Sequence, residues 1–169
     1  MDKTAIEHWS PVIGGQFWWS GVIFALIFVP LMIFVGGKLT SRQRDIAIYG
    51  MGIYQLGNKI LSQVGYLLSD NYILASNLPL HLCGLSGILA GIVVFYRKQM
   101  LFEFLYFFGL VGFIHSVLTP EFTGGTSTWK IFDYYVGHSM LIIIPVWLLR
   151  YYDFRLRPNS WWTSFVYLQ

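Results

Sequence analysis

The sequence predicts an all-α, polytopic transmembrane helix bundle, and three observations carry that expectation. Apolar residues make up 56% of the 169-residue chain and aromatic residues 19%, but charged residues only 11%. A soluble domain carries roughly a quarter charged residues. The apolar residues fall in runs of about the length that 30 Å of hydrocarbon demands at 1.5 Å per residue. The basic residues fall between those runs. Five complete spans are expected, at about residues 17–35, 46–68, 78–96, 101–118 and 131–149, with a partial sixth span or an interfacial helix over 160–169. No repeat, low-complexity tract or linker divides the chain, so residues 1–169 read as one integral membrane domain.

Met1 to Gly15 lacks the basic start, apolar core and small-residue cleavage site of a signal peptide, so the first span is expected to stay in the mature chain. That span is almost free of charge. Trp18 and Trp19 fit the aromatic belt at its start, Pro30 is expected to kink it, and Gly36 to Arg44 reads as a tight basic loop at its end. The second span is weaker by hydropathy, because Gln55, Asn58, Lys59, Ser62 and Gln63 fall within it. Their spacing rescues it. Gln55, Lys59 and Gln63 recur every four residues, with Asn58 and Ser62 beside them, so a helix gathers them into one polar stripe. The stripe should face the protein interior or a wet cavity, where Lys59 is either a functional group or a lysine that snorkels or pairs within the bundle.

The third span opens in Asn77-Leu-Pro-Leu-His-Leu-Cys83. Asn77 suits a helix cap and Pro79 a first-turn position, which places Cys83 about one turn inside. Gly84, Gly87 and Gly91 follow on one side, a spacing that fits close helix packing and would also leave room for a ligand chain. The fourth span has Glu103 near its start and His115 and Ser116 near its end, and Thr119 to Thr128 is a turn-rich loop. The fifth carries Asp133 and His138 in its first half, and the final apolar segment begins with Trp161 and Trp162.

Orientation follows from the connections. Lys38, Arg42 and Arg44 follow the first span, Arg97 and Lys98 the third, and Arg150, Arg155 and Arg157 the fifth; the opposite side has Lys3 and Lys130. By the positive-inside rule the odd-numbered spans end in the cytoplasm and the N-terminus lies outside. The net charge of +3 is thus a topological signal and not the footprint of nucleic-acid binding. Orientation also gathers His81, Cys83, His115 and His138 into one outer layer, within about 5 to 10 Å of depth.

A single cysteine excludes an intramolecular disulfide and a cysteine-cluster metal site, so its sulfur is either an inert packing group or a chemical one. Cysteine with histidine is a two-residue solution to acyl transfer: imidazole takes the thiol proton, the thiolate attacks an ester, and a thioester forms. Cys83 and His138 stand on different helices at similar depth, and such chemistry needs no cofactor and no metal. Tyr134, one turn before His138, shares its face and is placed to orient the imidazole. Asp133 is five residues away and points elsewhere. His81, His115, Asn58 and Lys59 complete the candidate supporting site. Three other classes remain open: a haem-binding bundle with histidine ligands, a binding or transport protein whose polar path is the stripe around Gln55, Asn58 and Lys59, and a structural scaffold whose polar residues join helices.

Leu78-Pro-Leu-His-Leu-Cys83, Phe104-Leu-Tyr-Phe-Phe-Gly-Leu110, Leu118-Thr-Pro-Glu121 and Gly137-His138 together resemble the bacterial YwaF-like family of integral membrane proteins, itself similar to the animal transmembrane protein 164 group. The resemblance covers most of the chain from the second span onward. It implies a multi-pass protein of the cell membrane, in bacteria the inner membrane, that moves an acyl chain between phospholipid and lysophospholipid. Membrane lipids are then its partners, and the nucleophile and base fall on Cys83 and His138. The family pattern continues beyond Gln169, so the chain is expected to be shorter than the family at its C-terminus.

Overall fold

The structure is a computed structural model that describes residues 8–68, 82–123 and 127–166. Its helices are α1 (Gln16–Lys38), α2 (Ser41–Leu67), α3 (Leu82–Phe95), α4 (Gln99–Leu118), α5 (Thr128–Tyr151) and the short α6 (Ser160–Val166). Two-residue strands, β1 (His8–Trp9) and β2 (Phe122–Thr123), pair antiparallel, an element with no signal in the sequence. Among the described residues α1, α4 and α5 are long and apolar enough to cross a membrane. α2 has the length, at 27 residues, but carries the polar stripe; α3 is apolar over its 14 described residues. Asn77, Pro79 and His81 lie outside the described residues.

Local chemistry sets several boundaries. Thr40 and Gln43 form a reciprocal cap at the start of α2: the Gln43 side chain accepts from the Thr40 N–H at 2.9 Å, and Thr40 Oγ1 accepts from the Gln43 N–H at 3.4 Å. The α1 helix runs through Pro30 to Lys38, and its last carbonyls, on Gly36 and Gly37, accept from the Arg44 guanidinium at 2.8 and 3.4 Å. Ser127 caps α5 by accepting from the Lys130 N–H.

Of the three helices long and apolar enough to cross a membrane α5 is the most buried, and α1, α2, α3 and α4 all pack against it. Its Leu141, Ile143, Ile144, Trp147 and Leu148 meet Ile48 and Met51 of α2, Val93 and Val94 of α3, and Phe102 and Leu105 of α4. Lipid is as apolar as these side chains, so close packing and interhelical hydrogen bonds must hold the helices together. Small residues make that packing possible. A β-carbon at Gly36 would come within 2.7 Å of the Trp147 ring, one at Gly109 within 2.6 Å of the Leu141 carbonyl, and one at Gly91 would overlap Leu56.

Helix α4 is interrupted by a π-helical turn, Leu105–Gly109, next to that close approach of Gly109 to α5. The extra residue of a π turn rotates the downstream half of the helix relative to the upstream half. At one end of the bundle the β1–β2 pair joins the N-terminal segment to the α4–α5 connection, and Trp18 Nε1 donates to the Leu118 carbonyl at 2.7 Å. The other end gathers the basic residues. Arg97 pairs with Asp45 at 3.7 Å and lies over the Tyr152 ring, while Arg157 grips the buried Glu103 carboxylate at 2.7 Å.

Candidate functional site

Four helices contribute polar groups to a layer on the β-paired side of the hydrophobic core. The α2 stripe faces inward, as its spacing predicts, in its Gln55, Asn58 and Lys59 portion; Ser62 is exposed. Gln55 is 2% exposed and donates from Nε2 to the Gly137 carbonyl of α5 at 2.7 Å. Asn58 Nδ2 and the Tyr54 hydroxyl both donate to Asp133 Oδ1, at 2.6 and 2.5 Å. The Asp133 carboxylate therefore fastens α5 to α2, in keeping with its position off the His138 face. Tyr54 carries no signal in the sequence beyond being an aromatic residue. A carboxylate within a membrane helix demands a partner, which is the one signal in the sequence that points to a donor on another helix.

Lys59 reaches across to α3. A β-carbon on Gly87 would stand 2.7 Å from Lys59 Cε and 3.5 Å from its Nζ. The ammonium is within electrostatic range of both Cys83, one turn before Gly87, and Asp133. Gly87 and Gly91 of α3 serve packing: Lys59 fills the space beside Gly87, and Leu56 the space beside Gly91.

Cys83 is half-buried in the first described turn of α3. Its thiol donates a weak, 3.9 Å hydrogen bond to the Gly112 carbonyl of α4. Gly112 admits both Sγ and Leu141 of α5: a β-carbon there would stand 3.4 Å from the sulfur and 3.5 Å from Leu141 Cδ1. Tyr134 is also within electrostatic range of Cys83. Tyr134 and Leu141 flank His138 along α5 at spacings of four and three residues, which places the three on one helical face.

The imidazole is half-buried and held by its own helix. His138 Nδ1 lies 2.7 Å from the Tyr134 carbonyl oxygen, and the two rings are 4.1 Å apart at their centroids. A carbonyl can only accept, so Nδ1 is the donor and Nε2 is the basic nitrogen of the neutral ring. Tyr134 is fixed in turn by its hydroxyl, which donates to the Ser116 carbonyl of α4 at 3.2 Å. Tyr134 thus contacts the imidazole through its carbonyl and its ring.

His115 shares the depth of this layer but not its direction. It is exposed on α4, whereas Gly112 and Ser116 are buried. His81 lies outside the described residues. Among the described residues no group of three or more His, Cys, Asp or Glu side chains is placed to hold a metal ion.

A bundle of long apolar helices enclosing a polar layer defines an integral membrane protein of the helical class. The family model described as the TMEM164 family matches residues 6–169, and the chain belongs to that family. Comparison with curated proteins and with solved structures gives no match.

Proposed function

We propose that this chain is a multi-pass membrane acyltransferase that moves an acyl chain between phospholipid and lysophospholipid, with Cys83 as nucleophile and His138 as base. The fold we infer has five spans, the last described segment lying at the interface, with the N-terminus outside; in a bacterium it would sit in the inner membrane. Family membership and the basic residues at one end support that reading. The observation that carries the chemistry is the hydrogen bond of His138 Nδ1 to the Tyr134 carbonyl. It leaves Nε2 as the proton acceptor.

In the proposed cycle, His138 Nε2 takes the Cys83 proton and the thiolate attacks an ester carbonyl of the donor phospholipid. The ester C–O bond breaks, the lysophospholipid leaves with the proton returned by His138, and the acyl group stays on sulfur as a thioester. The hydroxyl of a second lysophospholipid, deprotonated by His138, then attacks the thioester and releases the thiol. No water, oxidant or cofactor is consumed. On this reading Lys59, whose side chain lies beside Gly87 one turn from Cys83, is the basic group next to the reacting sulfur.

The test is acyl exchange in proteoliposomes containing phosphatidylcholine and a labelled lysophospholipid. Cys83→Ser and His138→Ala should each abolish exchange while the protein still inserts; unchanged turnover in both overturns the proposal. The bonds from Tyr54 and Asn58 to Asp133 favour a second reading, a non-catalytic bundle whose polar layer joins helices. On that reading Cys83→Ser is without consequence and Asp133 is the residue that matters.

A further inference from the structure

Two grooves meet at Arg150 on the basic end of the molecule, remote from Cys83. The larger, of about 520 Å³, runs between α1 and α5 and is walled by Val29, Pro30, Ile33 and Phe34, with Lys38 and Arg150 at its mouth. The smaller, of about 390 Å³, shares Arg150 with the first and is bordered by Val146, Leu149 and Arg155. Phe34 is 64% exposed although it stands on a helix apolar enough to cross a membrane, so the larger groove opens to the hydrocarbon side of the bundle.

Arg150 differs from most of its basic neighbours in what its side chain does. Arg44 is spent on the Gly36 and Gly37 carbonyls, Arg97 on Asp45, Arg155 on the Leu149 and Phe154 carbonyls, and Arg157 on Glu103. Arg150 is exposed, and among the described residues its guanidinium makes no hydrogen bond or ion pair. Lys38 is also exposed, and its ammonium lies 5.4 Å over the Phe34 ring, which holds it at the mouth of the larger groove. Both cations stand in the last turns of their helices, at the level where a phospholipid headgroup meets its acyl chains. The carbonyl dipoles of two helix C-termini oppose an anion there, so holding a phosphate takes both cations together.

We propose that an anionic diacyl phospholipid sits astride Arg150, with its phosphate on Arg150 and Lys38 and one acyl chain in each groove. Charge complementarity selects the occupant, because the larger groove is walled by apolar side chains, the smaller by Val146 and Leu149 between two arginines, and the rim they share is cationic. The site is separate from the Cys83 layer and binds lipid without reacting with it.

The test is native mass spectrometry of the detergent-purified chain titrated with dioleoyl phosphatidylglycerol or dioleoyl phosphatidylcholine. The wild type should retain one phosphatidylglycerol in preference to phosphatidylcholine. Arg150→Gln and Lys38→Gln should each weaken phosphatidylglycerol binding about fivefold. Ile33→Trp, which fills the larger groove, should weaken both lipids. Arg42→Gln, an exposed cation at the same end that lines neither groove, should leave binding unchanged. Equal retention of the two lipids by the wild type, or a loss in Arg42→Gln as large as in Arg150→Gln, would overturn the site. Equal retention of single-chain lysophosphatidylglycerol, or displacement of the lipid by millimolar inorganic phosphate, would overturn the two-groove seat.

Discussion

The two ends of the bundle use polar residues in opposite ways. At the basic end the charges come from connections and helix termini, and their partners are nearby carbonyls, tyrosine rings and carboxylates: Arg44 on Gly36, Arg97 on Asp45 and Tyr152, Arg157 on Glu103. In the Cys83 layer the polar groups come from helix interiors, and their hydrogen bonds cross between helices: Gln55 to Gly137, Tyr54 and Asn58 to Asp133, Tyr134 to Ser116. Topology and helix-end chemistry account for the first set. Fastening explains Asp133 and Gln55 in the second, yet it gives no reason for a thiol, an ammonium and an imidazole to share the same layer. That remainder is the ground for a site.

Substitutions can break this comparison, beginning where the effect should be largest. Asp133→Ala removes the shared acceptor of Tyr54 and Asn58 within a membrane helix, and should cost about 3 kcal/mol of stability, read as a lower thermal midpoint in detergent. Arg157→Ala removes the counter-charge of the Glu103 carboxylate, which is 1% exposed and keeps only the Gln99 side chain and the backbone N–H of residue 157 as donors, and should cost about 2 kcal/mol. Because Glu103 is remote from Cys83, acyl exchange per folded molecule should not change. A fall in exchange there would mean that the two ends are coupled.

Tyr152 offers a milder probe. Its hydroxyl donates to Asp45 Oδ1 at 2.6 Å, and burial, followed by that bond, pushes its phenol from 10.0 up to about 12. A folded-state value above the unfolded one stabilises the protein fully below pH 10, and the contribution is lost as pH rises through 12. Tyr152→Phe should cost about 1 kcal/mol near neutrality and flatten the stability profile between those two pH values. His115→Ala should be smallest, within about 0.5 kcal/mol and without effect on exchange, because the side chain faces outward.

Much of this was legible in the sequence where one helix decides the matter. The four-residue recurrence of Gln55 and Lys59 gave the inward face of α2, and the offset of five between Asp133 and His138 kept the carboxylate off the imidazole face. What was not legible depends on two helices or on a change of helical phase. Tyr54 becomes a partner of Asp133 only once α2 and α5 are side by side. His115 shares the depth of the layer but is exposed on α4, and an aromatic run with one glycine does not announce the π turn at Leu105–Gly109 that precedes it. Gly87 and Gly91 fitted both packing and a ligand cavity; the side chains of Lys59 and Leu56 decide for packing.

The central claim is that Cys83 is a thiol activated by His138, and covalent labelling addresses it most directly. The purified chain would be treated with a lipid-like, thiol-reactive acyl probe, beside Cys83→Ala and His138→Ala proteins of verified insertion. Labelling of the wild type that disappears in both variants is the predicted result. Labelling that persists in His138→Ala, or a correctly inserted wild type that takes no label, would contradict it and return Cys83 to packing.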